Sequence, residues 1–466
     1  MRILFATSEV VPFSKTGGLA DVAGALPRAL AARGHEVLTL TPWYADLNAD
    51  PPPLWIGDVP APFDGGFEPV GVGTLEAGGV RFAFVGHDAF RRETPYGHPD
   101  DVPRFVRFTR AVPQVAERAG FLPDVVHAHD WHTGYLPAVL RHGWHLPDGW
   151  AGLPSVFTIH NVQHQGVSDL DATLHQLRLP RALRASGIDH FGRANAMQAA
   201  LDFATHVTTV SPSYAREIQL PAFGYGLDGT LRHIAGKLSG ILNGLDTDAW
   251  NPATDPHIAA PFGVDDPSGK EACRQALRDA LDLDEGGPLL GVVSRFAEQK
   301  GIDLLLEAAP RLVTRGWRLA LLGAGDPALE ARARALASAH PGRVAAVIGY
   351  DDPLAHRIYA GADALAIPSR FEPCGLTQMI AMRYGTLPVA RATGGLNDTI
   401  QHGRTGFLFA HANAEGLAFA AEEARQALAG DAADEMRRAA MDQEFGWDRS
   451  AAAYEAIYQR VREAAT

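Results

Sequence analysis

The sequence predicts an α/β protein built from two doubly wound domains with a cleft between them. Short apolar or β-branched segments alternate with longer segments of helical periodicity, which is typical of βαβ units around a parallel sheet. The alternation restarts beyond a stretch, from about residue 245, that is rich in Pro, Asp and Thr. The chain of 466 residues is also longer than one hydrophobic core normally supports. We place the domains at 1–244 and 245–466, and expect the last helix, about 448–466, to pack back on the first domain.

The individual elements follow from this alternation. In the first half we predict strands at Arg2–Thr7, Glu36–Thr41, Arg81–Val85, Asp124–His127, Ser155–Ile159 and His206–Val210. In the second half we predict strands at Leu289–Ser294, Arg318–Leu322, Arg343–Ile348, Ala364–Ile367 and Leu387–Val389. Helices are predicted at Leu19–Arg33, which Gly34 ends as a C′ residue, at Ile302–Arg315 and at Ala328–Ala339.

Composition and charge exclude several classes of protein. Asp and Glu number 54 against 41 Lys and Arg, a net charge of −13 that disfavours an extended nucleic-acid or anionic-membrane surface. The apolar run at the start is too short for a secretory signal, and none elsewhere approaches the ~18 residues of a membrane span. Two cysteines are too few for a disulfide framework. We therefore expect a cytoplasmic protein.

Two loops are candidate phosphate sites. The loop after the first strand ends in Lys15-Thr16-Gly17-Gly18 and opens into a helix whose first turn holds Asp21. Glycine amides, a helix N-terminus and a lysine together make an anion site, the alternative being a solvent loop with a glycine turn. Because Gly-Lys-Ser/Thr is absent, this is not a P-loop. Arg295 and Lys300 share a second such loop, where they suit a diphosphate or form a solvated basic pair.

A third loop follows the strand at Ala364–Ile367. Glu372 lies in a tight turn just ahead of a helix that begins near Gly375, so its carboxylate should face the cleft. The neighbouring Cys374 is interpreted as a small buried hydrophobe rather than a nucleophile, because no Cys-His signature accompanies it.

Histidines cluster at the ends of two first-domain strands: His127, His129, His132, His160 and His164. Imidazole is a common zinc ligand, but neither His-Glu-x-x-His nor a Cys/His ligand pattern is present, so we predict no metal site. His160, Asn161 and Asp130 suit contacts to sugar hydroxyls instead.

One glycine pattern leaves a different enzyme class open. Gly323-Ala-Gly325-Asp-Pro-Ala328 approximates a dinucleotide fingerprint, which would indicate an NAD-type oxidoreductase. The acidic residue that should end the next strand is missing, since Asp351 lies beyond it. A serine hydrolase lacks its Gly-x-Ser-x-Gly elbow, and a glycoside hydrolase would need a second well-placed carboxylate beside Glu372.

Taken together, the motifs resemble one family over nearly the whole chain, the bacterial glycogen synthases and plant starch synthases. The segments that carry the resemblance are Lys15–Val22, His129–Thr133, Thr209–Glu217, Phe223–Gly229, Ile241–Asp246, Ser294–Gly301 and Phe371–Asp398. The resemblance implies two facing Rossmann-like domains of the GT-B type. It also implies retaining transfer of glucose from ADP-glucose to the non-reducing end of an α-1,4-glucan such as glycogen, with no metal or other cofactor.

The resemblance also implies roles for individual residues. The donor-binding set is Lys15, Gly17, Gly18, Arg295, Lys300, Tyr350, Gly375, Leu376 and Thr377. The catalytic set is Glu372, Arg295, Lys300 and His160. The sugar and acceptor set is Asp21, Asp130, His160, Asn161 and Asn243. The first domain would be the catalytic and acceptor domain and the second would bind the nucleotide sugar. A non-catalytic glucan-binding protein is the competing class outside enzymes.

Overall fold

The computed structural model describes residues 1–92 and 94–464, which form two compact units. The N-terminal unit comprises Met1–Gly244 together with the chain from Trp447 onward, and the C-terminal unit comprises Leu245–Gly446. Within the described part of the chain, no helix has the length and apolar character that crossing a membrane requires.

The strands and helices alternate along the chain. The strands are β1 Arg2–Ala6, β2 Glu36–Pro42, β3 Leu54–Phe63, β4 Gly66–Ala77, β5 Val80–Gly86, β6 Val125–His129, β7 Ser155–Ile159, β8 Val167–Asp169, β9 Asp189–His190, β10 Arg193–Asn195, β11 His206–Thr209, β12 Leu238–Gly240, β13 Leu289–Val293, β14 Arg318–Gly323, β15 Val344–Ile348, β16 Ala364–Ile367, β17 Leu387–Arg391 and β18 Phe407–Phe409. The helices are α1 Gly18–Ala32, α2 Asp101–Arg118, α3 Leu136–His142, α4 Leu170–Leu177, α5 Ala196–Phe203, α6 Pro212–Glu217, α7 Asp228–His233, α8 Gly269–Ala280, α9 Ile302–Thr314, α10 Pro327–Ala339, α11 Asp352–Gly361, α12 Thr377–Arg383, α13 Gly394–Thr399, α14 Ala414–Leu428, α15 Ala433–Met441 and α16 Trp447–Glu463.

The main sheet of the N-terminal unit has the strand order β12-β11-β7-β6-β1-β2-β5-β4-β3. It is parallel from β12 to β5, and β4 and β3 add an antiparallel edge. A second, small sheet joins β8, β10 and β9. Buried apolar strands covered by helices on both faces are the pattern of doubly wound α/β proteins.

The last helix, α16, belongs to the core of the N-terminal unit. Trp447, Tyr454 and Tyr458 lie in one buried cluster with Phe5 of β1 and Leu26 of α1. At the start of α16 the Ser450 hydroxyl donates a hydrogen bond to the Leu242 carbonyl. The chain therefore returns to its first unit at its end.

The C-terminal unit has a fully parallel sheet of order β15-β14-β13-β16-β17-β18. The chain leaves the central strand β13 toward β14 on one side and later returns to β16 on the other. Such a reversal is a topological switch point, where loops at the carboxyl ends of the two strands border a ligand-binding crevice.

The predicted strands are confirmed, with ends that shift by two residues at most. Gly34 follows α1 with φ 87° and ends the helix as predicted. The hairpin of β3 and β4 was missed, because its Gly and Pro residues conceal the alternation of a strand. Pro60 and Pro62 are tolerated in β3 because this strand forms the edge of the sheet.

Candidate active site

The switch point of the N-terminal unit brings together two segments that contain predicted site residues. The central strands β1 and β6 are neighbours. From β1 the chain continues to β2, and from β6 it continues to β7, which lies in the opposite direction along the strand order. The loop after β1 carries Lys15 to Gly18, and Asp130 directly follows β6. Both groups therefore lie at the carboxyl ends of central strands, where ligands bind in this architecture.

Glu9, a buried glutamate that no sequence motif indicates, shapes the loop after β1. It is only 2% exposed. Its Oε2 accepts hydrogen bonds from the Thr16 backbone amide at 2.5 Å and from the Thr16 hydroxyl at 2.7 Å. Burial raises the pKa of Glu9, and the Thr16 donors oppose that rise. Glu9 thus fixes the backbone immediately before α1.

The first turn of α1 begins after a glycine. Gly17 is the N-cap residue, and among the described residues no side-chain hydrogen bond caps this end of the helix. A Cβ at Gly18 would meet no atom within 4 Å, so the packing of the protein does not require glycine there. A ligand that approaches the backbone would require it. Beside this turn, Lys15 Nζ lies 2.8 Å from Asp21 Oδ1, with the lysine side chain about half exposed.

Asp130 has a strained backbone, with φ 54° and ψ 178°. This conformation costs a residue with a Cβ on the order of 1–3 kcal/mol. Its Oδ1 accepts hydrogen bonds from the backbone amides of His160 at 2.7 Å and Asn161 at 3.3 Å. Burial raises the pKa of Asp130 to about 7 although the two amides act in the opposite direction. The strained residue ties the end of β6 to the loop after β7.

His160 is half-buried and contacts a second histidine. Its Nε2 lies 3.0 Å from Nδ1 of His129, which is fully buried. Burial lowers the pKa of His160 to about 3 and that of His129 well below its usual value. Asn243 is buried further along the chain, and its Oδ1 has no hydrogen-bond partner among the described residues.

The switch point of the C-terminal unit joins a lysine to a glutamate. Lys300 follows β13 and Glu372 follows β16. Lys300 Nζ donates to Glu372 Oε2 at 2.6 Å, and the Ser369 hydroxyl donates to the same oxygen at 2.9 Å. The glutamate side chain is 7% exposed and the lysine side chain 22%. A largely buried pair of opposite charges thus stands at the predicted reaction centre.

A second ion pair holds the two loops together. The Arg370 guanidinium donates to both carboxylate oxygens of Asp303, each at 2.7 Å, and to the Glu298 carbonyl at 2.7 Å. The Arg370 backbone amide donates to the Gln299 carbonyl at 2.8 Å. Hydrogen bonds from Arg370 lower the pKa of Asp303. Arg370 therefore fastens the loop of Glu372 to the loop of Lys300.

Glycines allow a third segment to pack against the Glu372 turn. A Cβ at Gly394 would overlap the Glu372 carbonyl, and one at Gly395 would overlap the Cys374 carbonyl. The Gly395 amide donates to the Glu372 carbonyl at 3.1 Å. The sequence Thr-Gly-Gly-Leu occurs at both 16–19 and 393–396, but only in the second copy does the protein's own packing demand both glycines.

The remaining predicted donor residues surround this turn or stand exposed. Gly375 has φ 73°, and the Gln378 side chain donates to its carbonyl at 2.9 Å just after α12 begins at Thr377. Tyr350 follows β15 and is 87% exposed. Arg295 is exposed and, within the described residues, its guanidinium makes no hydrogen bond or ion pair. Cys374 is buried.

Comparison with known proteins identifies the family. The family model described as "Starch synthase catalytic domain" matches residues 2–233, and "Glycosyl transferases group 1" matches residues 287–426. The chain is 49% identical to the glycogen synthase of Deinococcus deserti over 465 residues, 99% of each protein. It is 44% identical to a glycogen synthase of Thermus thermophilus over 99% of this chain and 100% of the relative. The chain belongs to the glycogen synthase and starch synthase family.

A solved structure supports the same assignment. The catalytic domain of starch synthase IV from Arabidopsis thaliana, bound to ADP and acarbose, matches with a TM-score of 0.91 and 34% identity over 99% of both chains. This member of the family is therefore a glucosyltransferase with the GT-B fold. The resemblance stated from the motifs is confirmed.

In this family member, the predicted site residues fall into two groups. The N-terminal unit holds Lys15, Gly17, Gly18, Asp21, Asp130, His160, Asn161 and Asn243. The C-terminal unit holds Arg295, Lys300, Tyr350, Glu372, Gly375, Leu376 and Thr377. Direct hydrogen bonds join Lys15 to Asp21, Asp130 to the amides of His160 and Asn161, and Lys300 to Glu372.

The alternatives considered from the sequence are not supported. The relatives are glucosyltransferases, neither oxidoreductases nor non-catalytic proteins. The glycine pattern at 323–325 has a packing explanation, since a Cβ at Gly323 would overlap the Ser294 carbonyl and one at Gly325 the Phe296 carbonyl. These glycines let the loop of Arg295 lie against β14. No group of three or more His, Cys, Asp or Glu side chains suited to a metal ion occurs among the described residues.

Proposed function

We propose that this glucosyltransferase transfers glucose from ADP-glucose to the non-reducing end of an α-1,4-glucan with retention of configuration. Its relatives are named glycogen synthases, and the matched starch synthase was solved with ADP and acarbose. The observation that carries the proposal is the buried ion pair between Lys300 and Glu372, at 2.6 Å.

The positive and negative charges of this pair suit the diphosphate and the sugar, the two groups joined by the bond that breaks. Departure of the diphosphate leaves growing negative charge on its oxygens and an oxocarbenium-like sugar. An ammonium fixed near the phosphate and a carboxylate fixed near the sugar stabilise these opposite charges. Because Oε2 of Glu372 already accepts from Lys300 and Ser369, we assign Glu372 to charge stabilisation and sugar binding rather than to nucleophilic attack.

The donor is bound by fixed cations and backbone amides. We assign Arg295 and Lys300 to the diphosphate, because the Arg295 guanidinium has no partner among the described residues and Lys300 shares its loop. The amides of Gly375, Leu376 and Thr377 lie at the start of α12 and are assigned to the distal phosphate. We assign the ring of Tyr350, which is exposed, to stacking on the adenine. The C-terminal unit would thus recognise the nucleotide.

We assign the sugar contacts, and some of the contacts to the donor, to residues of the N-terminal unit. Lys15 and the amides of Gly17 and Gly18 approach the donor, and the open helix start supports this assignment. The polar side chains assigned to glucose and acceptor contacts are Asp21, Asp130, His160, Asn161 and Asn243. With these cations in place we propose that transfer needs no divalent ion, so excess EDTA should leave the initial rate unchanged.

One experiment tests the proposed function. The purified chain is incubated with glycogen and either ADP-glucose or UDP-glucose, and released nucleotide and glucose incorporated into glycogen are both measured. We expect equal amounts of the two products, with ADP-glucose the better donor. Nucleotide release without incorporation, or no release at all, would contradict the proposal.

A further inference from the structure

The contact between His129 and His160 depends on which ring nitrogen of each histidine is protonated. His129 Nδ1 and His160 Nε2 are 3.0 Å apart, so one of them donates a hydrogen bond and the other accepts it. A neutral imidazole carries one proton, on either nitrogen. Burial lowers the pKa of both rings, so each is neutral near pH 7. Two arrangements remain, and they differ in which nitrogen of each ring is protonated.

The surroundings of His129 decide between them. Its ring is fully buried, stacked on Phe5 with centroids 5.2 Å apart and lying 4.1 Å from the ring of His127. Its Nε2 is enclosed and has no hydrogen-bond partner among the described residues. A proton on Nε2 would leave a buried N–H without an acceptor, which costs more than an unused lone pair. The proton of His129 therefore sits on Nδ1.

This assignment fixes the second ring. His129 Nδ1–H donates to His160 Nε2, so Nε2 of His160 is an acceptor and the proton of His160 sits on Nδ1. No described residue makes a hydrogen bond with His160 Nδ1, and the residue is only half-buried. Nδ1–H is therefore the polar group that His160 has available for a ligand.

We propose that His129 is a positioning residue that holds His160 as the Nδ1–H tautomer, so that His160 donates a hydrogen bond to a sugar oxygen and does not act as a base. This rests on the proposed function, which assigns His160 to the sugar. The ligand atom that fits is an oxygen acceptor of a hexose, whether hydroxyl or ring oxygen.

The tautomer can be read directly in the full-length protein. Protonated and unprotonated ring nitrogens resonate in separate regions of a ¹⁵N spectrum of histidine-labelled protein. The His160 signals are identified by their loss in His160→Gln. We expect a protonated Nδ1 and an unprotonated Nε2 in the wild-type protein. The reverse pattern, or an imidazolium at neutral pH, would overturn the proposal.

Two substitutions at His129 separate its hydrogen bond from its packing. In His129→Asn the amide nitrogen takes the place of Nδ1 and keeps a donor, whereas His129→Phe keeps a ring and loses the donor. We expect His129→Phe to lower kcat/KM by about tenfold or more with the tautomer signal altered, as loss of a positioned hydrogen bond would. His129→Asn should retain the tautomer and most of the activity.

His127→Phe is the matched control, because His127 is equally buried on the same strand and bonds Tyr458 and Thr158 rather than His160. It should leave the His160 signals unchanged. If His129→Phe does not fold, the spectra of the wild-type protein and of His129→Asn still test which tautomer His160 adopts. Equal losses in the Asn and Phe variants would reject the role of the hydrogen bond. A wild-type protein inactive on ADP-glucose would refute the proposed function alone, since the tautomer is measured without substrate.

Discussion

At the scale of single residues, the site is organised around charges that are buried with a partner. Lys300 and Glu372 satisfy each other at 2.6 Å, and Ser369 adds a further donor to the glutamate. Removing one member of such a pair leaves the other uncompensated. The consequences of substitution therefore differ according to whether the charge or only a hydrogen bond is lost.

Glu372→Gln should preserve the fold and remove most activity. The amide keeps the shape of the side chain but lacks the negative charge, so we expect kcat to fall by about 100-fold or more, as for other electrostatic groups at reaction centres. Ser369→Ala, which removes one hydrogen bond to the same oxygen, should cost much less. Turnover at saturating ADP-glucose and thermal unfolding measure both effects. Wild-type turnover in Glu372→Gln would show that Glu372 does not lie at the reaction centre.

Lys300→Ala should lower glucosyl transfer by at least about tenfold, or about 1.4 kcal/mol of transition-state stabilisation. The reason is the loss of a cation assigned to the leaving diphosphate. Lys300→Arg, which keeps the positive charge, should lose less. Initial rates at saturating donor are the measurement, and a rate equal to that of the wild type would remove Lys300 from the mechanism.

Asp130 predicts a dependence of stability on pH. Burial raises its pKa from 3.8 to about 7, so the folded state binds this proton more tightly than the unfolded state does. The resulting stability is present below about pH 4 and is lost as the pH rises to about 7. Asp130→Asn keeps an acceptor oxygen and does not ionise, so its unfolding free energy relative to wild type should rise across that window. Denaturant titrations at pH 5 and pH 8 measure it, and a constant difference would contradict the shifted pKa.

At the scale of elements, loops that follow adjacent strands are fastened to each other by side chains. Arg370 joins the loop after β16 to the start of α9 through Asp303, and its backbone binds the loop after β13. Lys300 and Glu372 lie on these same loops. Their separation therefore depends on a pair that itself has no assigned contact with substrate.

Asp303→Asn should weaken this fastening and reduce activity more than stability. We expect kcat to fall by about tenfold while the unfolding free energy falls by only about 1–2 kcal/mol, the scale of one charge-assisted hydrogen bond. Glu422→Gln is the control, because Glu422 and Arg425 also pair at 2.7 Å with similar exposure. Equal kinetic effects of the two substitutions would contradict a positioning role for Asp303.

The two Thr-Gly-Gly-Leu segments should respond oppositely to an added methyl group. Gly18→Ala has room, and alanine in a helix is favoured by roughly 0.5–1 kcal/mol, so stability should stay level or rise while the KM for ADP-glucose increases. Gly395→Ala forces a Cβ against the Cys374 carbonyl and should lower stability. Thermal unfolding and rate measurements at varied ADP-glucose concentration test these expectations. An unchanged KM in Gly18→Ala would show that the first turn of α1 does not contact ADP-glucose.

At the scale of the whole molecule, topology explains how much the sequence revealed. Parallel strands leave clear apolar runs, so the sequence predicts the loops that follow β1, β6, β13 and β16 and the polar residues in them. Ligands in open α/β sheets bind beyond the carboxyl ends of the strands, which is why these residues are candidates. The structure shows that these loops border the two switch points. Glu9, Asp303 and Arg370 were missed, since each has a role only through a partner that folding brings near. Arg370 and Asp303 are 67 positions apart, a distance that no local pattern bridges. The β3–β4 hairpin was missed for a local reason, because its Gly and Pro residues conceal the alternation of a strand.

The position of α16 has a practical consequence for dissecting the enzyme. The backbone passes from the first unit to the second at Gly244 and returns at Trp447, so the second unit is an insertion and the first is discontinuous. Excising 245–446 yields one uninterrupted fragment, whereas a truncated chain that stops at residue 244 lacks part of its own interior. An isolated first half would need its terminal helix fused through a new connection or supplied as a separate peptide.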